Sequence, residues 1–315
     1  MAYLLVGSVT GSGGGNAKSK IYCKSYLITD EGKTVQVKDM TDTVVATGEL
    51  ENQEILFEVP STDKYTVEML DSNDDVEYST EVILNYGTFA EVKLGWTTTS
   101  FSGVQQILNA HKELDLLEVG MDMDETILKT GSIPMQWSIG AINQEGGHSV
   151  FFVPKWCLPT TRQMNSSNTN VGGWNVTLLR SWLNNEFLNN YLPDDIASLV
   201  KSRDIKISQG NQSTSLQTAS DKIWLPREYE IFGATTYSAG TEHTSGNAEQ
   251  FGIFATAGNR IKTAGKNGSA CAWWGCSPVV SGATGFCFVN ASGSAGGNTA
   301  SASYGVLPCF QLTSD

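Results

Sequence analysis

CAWWGCSPVVSGATGFCFVNASGSAGGNTASASYGVLPCF, residues 271–310, constrains every account of how this chain folds. Its forty residues include no Asp, Glu, Lys or Arg, and no His, Gln or Met. A globular average of ~25% charged residues would place about ten charges in such a window. Small polar residues interrupt the apolar ones every few positions, so no run of about 20 apolar residues is available to cross a bilayer. No short-period repeat is present. Bulky residues (Trp273, Trp274, Phe286, Phe288, Val289, Tyr304, Val306 and Phe310) recur along it, which a linker would lack. The stretch reads as a folded segment with fixed apolar anchors and small, interchangeable residues between them. Aromatic rings supply rigid contact area while Ser, Asn and Gly supply adaptable hydrogen bonds, the division of labour of a combining loop. Ordinary glycine- and serine-rich strands closing a domain would have the same composition.

Outward from that segment, a chain of 315 residues has the length for two domains, each with a core. Charge is uneven. Residues 1–130 carry 22 acidic and 9 basic side chains, and residues 131–315 carry 11 of each, so the net charge of −13 belongs to the front. Neither half offers a basic patch, and no nucleic-acid partner is expected. MAYLLVGSVTGSGGG, residues 1–15, has no basic residue before its short apolar run. It makes a poor export signal, so synthesis in the cytoplasm and no membrane partner are expected. Cys271 and Cys276 are five apart, outside the usual Cys-x2-4-Cys spacing. The six cysteines are therefore read as free buried thiols, with no metal and no cofactor.

The expected fold class is α+β, with an immunoglobulin-like β-sandwich before a second, mixed domain. Residues 1–19 read as a flexible N-terminus containing GSGGGNA, residues 11–17. Residues 20–97 hold seven alternating segments: KIYCKSYLI, KTVQVKDM, TVVATGEL, EILFEVP, KYTVEML, VEYSTEVILN and FAEVKLG. Short, regular breaks between such strands indicate the sandwich. Residues 98–315 form the second domain. Ser100 caps a helix with Val104, Ile107, Leu108, His111 and Leu114 on one face. Strands follow around residues 125–158, joined at Gly131–Pro134 and Gly146-Gly147. Asn175 or Thr177 then caps a helix with Leu178, Leu179, Trp182, Leu183 and Phe187 inward. Residues 234–250 read as a long loop.

No local motif of a hydrolase, phosphate loop or zinc protease is present. The close carboxylates Asp194-Asp195 and Glu228/Glu230 sit at helix starts, where the macrodipole favours negative charge. They read as capping charges, and no catalytic residue is expected.

MNSSNTNVGGWNVTLLRSWLN, SDKIWLPREYEIFG, QFGIFATAGNRIK, NGSACAWWGCSP, FCFVNASGSAG and GVLPCF occur in that order. Together they resemble a domain family of gut Firmicutes and their phages. The resemblance covers about residues 98–315 and implies a C-type-lectin-like fold like that of formylglycine-generating enzymes. Many members are similar to the variable proteins of diversity-generating retroelements, whose C-terminal codons are randomised at adenines. Mutating the adenines of an AAY codon never yields Lys, Glu, Gln, Met or Trp. Apart from Trp273-Trp274, which match a fixed anchor of the family, residues 271–310 contain none of these five.

By this resemblance Trp273, Trp274, Ser277, Pro278, Phe286, Val289, Gly293, Gly305, Val306, Pro308 and Phe310 are scaffold anchors. The ligand-binding, variable positions are Gly275, Cys276, Val279, Val280, Ser281, Ala283, Gly285, Phe288, Asn290, Ala291, Ser292, Gly297, Asn298, Ser301, Ser303, Leu307 and Cys309. The family's WWLRSP reads WWGCSP here, and the position that lacks its Arg is treated as variable. The implied function is non-enzymatic binding of a protein or glycan on a host cell surface by a phage or prophage virion protein. The N-terminal domain would meet other virion proteins, and a homo-oligomer, a trimer, would multiply a weak site. The alternatives are a purely structural decoration protein, or a copper oxidase of the formylglycine-generating type using Cys271, Cys276 and Cys309.

Overall fold

Alternation of apolar and polar residues builds the first unit. In the strand Ser19–Ser25 every second side chain is buried, the period of a half-buried strand. A computed structural model describes residues 5–8, 18–25, 30–60, 63–84, 88–94, 99–144, 147–244 and 249–315. It divides into two units, Met1–Thr97 and Thr98–Asp315. The described strands of the first are β1 (Leu5–Ser8), β2 (Ser19–Ser25), β3 (Thr34–Lys38), β4 (Val44–Glu49), β5 (Glu54–Val59), β6 (Asp63–Leu70), β7 (Val76–Leu84) and β8 (Thr88–Leu94). They form two sheets, in the orders β1-β8-β2-β5 and β4-β3-β6-β7. β2 runs parallel to β8, and the other pairs are antiparallel. Ile21, Cys23 and Phe57 of one sheet share a core with Val35, Val67 and Val82 of the other. Two sheets therefore enclose one apolar layer. β1 lies inside the segment expected to be flexible, and its pairing with β8 corrects that expectation. The glycine-rich residues 11–17, Ser61 and Thr62, Gly146 and residues 245–248 lie outside the described residues.

The second unit begins with α1 (Phe101–Asn109), where Ser100 Oγ accepts the Gly103 N–H at 3.1 Å. Phe101, Val104, Ile107 and Leu108 are its buried apolar residues. His111 and Leu114 do not join that face, because the helix ends at Ala110 and His111 takes φ 56°. His111 is exposed and stacks on His148 at 3.6 Å, while Leu114 is 73% exposed. Phe101 packs 5.1 Å from Phe152 and 5.4 Å from Phe310, with Trp137 5.5 Å from Phe310. These rings come from α1 and the three-stranded sheet of Trp137–Ile142, Ser149–Pro154 and Phe310–Thr313. The last strand of the chain thus completes a core begun at residue 101.

The GGW-x5-R-x-WLN run, residues 172–184, acts as a clasp. Trp174 Nε1 and Arg180 Nε each donate to the buried Asp221 carboxylate at 2.7 Å. Asn184 Oδ1 accepts from Lys222 N and Ile223 N, and its Nδ2 donates to Ile223 O. Thr177 is the cap, accepting from Arg180 N. Leu178 does not turn inward and is 57% exposed. Beyond Trp182 the helix widens into π-type turns over Leu183–Tyr191. There Asn185 and Asn189 donate their amides to carbonyls four residues back, at 2.7 Å each.

The carboxylates after residue 227 are more than helix-start charges. Glu230 caps the helix Glu228–Phe232 by accepting Arg227 N at 2.8 Å, and it is wholly buried between Arg203 and Arg227. Burial alone would raise its pKa; the two guanidinium groups override that and bring it down to about 2. Glu228, also buried, accepts Tyr237 N, Ser238 N and Ser238 Oγ. Glu242 lies on a single helical turn within the expected loop. Burial pushes its carboxyl up to about 7, against bonds from Ser277 Oγ and Ser208 N. Asp194 behaves as expected, exposed at a helix start and paired with Lys129 at 2.6 Å.

Glu230→Gln leaves two buried guanidinium groups under-compensated and is expected to cost about 3–5 kcal/mol, measured as a lower urea midpoint. An unchanged midpoint would refute the cluster's role. Two pH windows follow. Glu230's contribution is present above its ordinary 4.5 and lost as pH falls through about 2. Glu242's is full below its ordinary 4.5 and lost as pH rises through about 7. Denaturation midpoints of Glu242→Gln should therefore lack the wild-type decline between pH 4.5 and about 7.

Candidate functional site

The charge-free segment folds into a three-stranded sheet of Trp273–Pro278, Gly285–Val289 and Ala295–Thr299. Ser303–Tyr304 then pairs with Arg162–Gln163. Every residue expected as a scaffold anchor is buried: Trp273, Trp274, Ser277, Pro278, Phe286, Val289, Gly293, Gly305, Val306, Pro308 and Phe310. The two indoles are also fixed by hydrogen bonds, Trp273 Nε1 to Arg260 O and Trp274 Nε1 to Arg162 O, both at 2.9 Å.

The seventeen positions expected to face a ligand divide. Val279, Val280, Ser281, Ala283, Phe288, Asn290, Ala291, Ser292, Gly297, Asn298, Ser301 and Ser303 are exposed or half-buried. Gly275, Cys276, Gly285, Leu307 and Cys309 are buried, which corrects their assignment to a binding surface. A Cβ on Gly285 would lie 2.6 Å from Asn298 O, and one on Gly275 would lie 3.1 Å from Pro226 O. Cys276, Leu307 and Cys309 are each 0% exposed. Two of the accessible residues are also tied down. Asn290 Oδ1 accepts from Ser292 N, Ser292 Oγ and Ser294 N, closing the turn at Gly293. Asn298 Nδ2 donates to the Tyr304 hydroxyl at 2.5 Å.

A second segment, residues 163–170, holds these loops mainly by their backbone. Asn170, fully buried, donates through Nδ2 to Val279 O, Gly282 O and Gly285 O at 3.2, 3.0 and 2.8 Å. Its own N–H reaches Ala283 O at 2.8 Å, and its Oδ1 accepts Asn211 N at 2.8 Å. Gln163 Nε2 donates to Ser301 O at 2.6 Å, and Asn165 N donates to Ala300 O. Asn168 Oδ1 accepts the Ser301 hydroxyl. Apart from that hydroxyl, these bonds take main-chain atoms of residues 279–301, so they do not depend on which side chains stand there.

Between the loops lies an aromatic platform. Phe288 and Tyr304 stack at 4.7 Å, with Tyr304 edge-on to Trp274 at 4.8 Å. Gly296 lies beneath the Phe288 ring, where a Cβ would come within 2.5 Å of it. Tyr237, 37% exposed, borders the platform at Gly297. Next to Ser303 an open depression of about 430 Å³ is lined by Thr161, Arg162, Gln163, Asn165, Ser166, Leu178, Leu179 and Trp182. Asn170, Arg162, Tyr237 and the half-exposed Trp182 were not legible as site residues. Only Trp182 carried a signal, through its motif, and that signal placed it inward.

The thiols group differently from the oxidase alternative. Cys271, half-buried, hydrogen-bonds Cys157, and that bond holds its thiol below the ordinary range. Burial pushes the thiols of Cys157, Cys276 and Cys309 up. Among the described residues no group of three or more His, Cys, Asp or Glu could hold a metal ion. No described helix is long and apolar enough to cross a membrane.

Two comparisons bear on the chain. Residues 146–314 match the model of a family described as a domain of unknown function, DUF6273. No curated protein matches the sequence.

Asn170→Ala removes the donor shared by three loop carbonyls and is expected to cost about 3 kcal/mol. It should also raise hydrogen exchange at Val279 and Gly285 selectively. Uniform protection across residues 279–285 in the variant would show that Asn170 does not hold the loop.

Proposed function

The chain belongs to the DUF6273 family, and for it we propose non-enzymatic ligand binding by a virion protein of a phage or prophage, associated with the tail. In this reading the first unit is an immunoglobulin-like mount that meets other virion proteins. The second is a C-type-lectin-like domain whose face at residues 279–304 recognises a protein or glycan on a host cell. A retroelement would change that face, and a trimer would multiply its affinity.

One observation supports the reading above the others: the buried Asn170 and its neighbours grip backbone atoms of the face while most of its side chains point away. A surface meant to change its side chains needs anchoring of this kind, since anchoring through side chains would be lost with each replacement. The platform of Phe288 and Tyr304 adds fixed aromatic area, the usual source of binding energy at a small interface. No charged residue occurs in the segment, so recognition there rests on shape and apolar contact with little electrostatic steering.

The coding DNA provides the test. A nearby reverse transcriptase gene is expected, with a template repeat that departs from codons 271–310 only at template adenines. The departures should fall on Val279, Val280, Ser281, Ser301 and Ser303 and spare Cys276, Leu307 and Cys309. Mismatches spread over all four bases would overturn diversification. At the protein level, exchanging those five accessible residues should abolish attachment of the labelled full chain to host cells while leaving its melting temperature unchanged. Attachment unaffected by the exchange would favour a purely structural decoration protein.

A further inference from the structure

Arg162 is the only charged residue lining the depression beside Ser303. Its guanidinium carbon lies 3.6 Å from the centroid of the Trp182 ring, a cation–π stack that fixes one face of the group. Trp182 is itself held by Phe187 at 5.6 Å and Tyr191 at 5.5 Å. Among the described residues no carboxylate pairs with Arg162, and its Nε is buried without a partner. An arginine used only for packing is ordinarily satisfied by a carbonyl or carboxylate. Thr161, Ser166 and Ser303, each carrying a hydroxyl, line the same depression. The protein thus orients a cation and leaves its Nε without a partner.

We infer that this depression is a subsite for a carboxylate group on the ligand. The planar fork of a single guanidinium matches a carboxylate in geometry and charge. A phosphate dianion would call for a second cation, and the depression has none. The hydroxyls can take the carboxylate's remaining lone pairs or neighbouring hydroxyls of the ligand, and the exposed Leu178 offers contact for its apolar body. The subsite joins the face through the pairing of Gln163 with Ser303 and Arg162 with Tyr304. It consists mainly of residues before 271, so it stands whether or not the segment 271–310 varies. A changing face would then work beside a constant anionic contact.

The test uses the full chain with galacturonate, galactose and inorganic phosphate as separate probes, followed by tryptophan fluorescence and by the amide resonances of residues 161–166 and 303. Galacturonate is expected to give a saturable change that galactose does not. Arg162→Gln should weaken it about tenfold or more, the factor corresponding to a charge-assisted hydrogen bond. Ser303→Asp, at an exposed position and away from any core, should weaken it similarly by placing a competing carboxylate at the rim. Arg162→Lys separates charge from geometry, and it should not restore binding. Equal responses in wild type and Arg162→Gln, or no saturable response to galacturonate, would overturn the subsite. Phosphate binding as tightly as galacturonate would overturn its assignment to a carboxylate. Neither result would alter the DNA-level test of diversification, so the two readings fail separately.

Discussion

The ion cluster of Arg203, Arg227 and Glu230 is the constraint on which the second unit depends. Two guanidinium groups and a carboxylate lie out of water together, an arrangement that is tolerable only when every member is held in place. Arg227 also donates to Lys206 O at 2.9 Å, and Arg203 lies over the rings of Phe151 and Trp224 at 4.8 and 4.9 Å. The cluster therefore joins the strand Arg203–Ser208, the helix Glu228–Phe232 and the aromatic core. Ser277 extends it by accepting Glu228 N and donating to Glu242. Through Ser277 the strand Trp273–Pro278 is fixed from its inner side. All six residues of that strand are buried, so the accessible, uncharged positions lie on the loops and strands that follow it.

The outer face is fixed by a different device. Where the cluster uses charge at depth, Asn170 uses one amide to collect three carbonyls of the connection between two strands. An amide can satisfy several acceptors at once without the desolvation penalty of an ion. The inner side thus resists change, because each member of the cluster requires the others. The outer side is nearly indifferent to its own side chains. This contrast within one sheet is the physical basis for reading the segment as a scaffold with replaceable positions.

Much of this was legible in the sequence, for stated reasons. Ser100 before an apolar face with helical spacing marked α1, and alternation marked the strands of the first unit. The anchors Trp273, Phe286 and Phe310 stood out by size. Cys276 and Cys309 carried two incompatible readings, as buried thiols and as variable surface positions, and the first agrees with their burial. The burial of Gly275, Gly285 and Leu307 was not legible, because residues between the large anchors look alike whichever way the strand faces. A register shift between Trp274 and Pro278 also breaks the two-residue period there. Glu228 and Glu230 read as no more than helix-start charges because their partners Arg203, Ser277 and Ser238 are remote in sequence or ambiguous in type. His111 and Leu114 were placed by extending a helix past Ala110, where it ends; Leu114 belongs instead to a separate turn, Glu113–Leu116.

The position of the Phe310–Thr313 strand has a consequence for how copies of this chain are sorted in the cell. Phe310 contacts Phe101, Trp137 and Phe152, and the strand pairs with Ser149–Pro154. The core of the second unit cannot close on the ribosome until residues beyond 310 have emerged. A shift of reading frame or a premature stop anywhere in residues 271–310 removes that strand along with everything after the lesion. Such a product keeps an open aromatic core and is exposed to proteolysis. Because the segment lies just ahead of the closing strand, closure of this core depends on the segment having been read through intact.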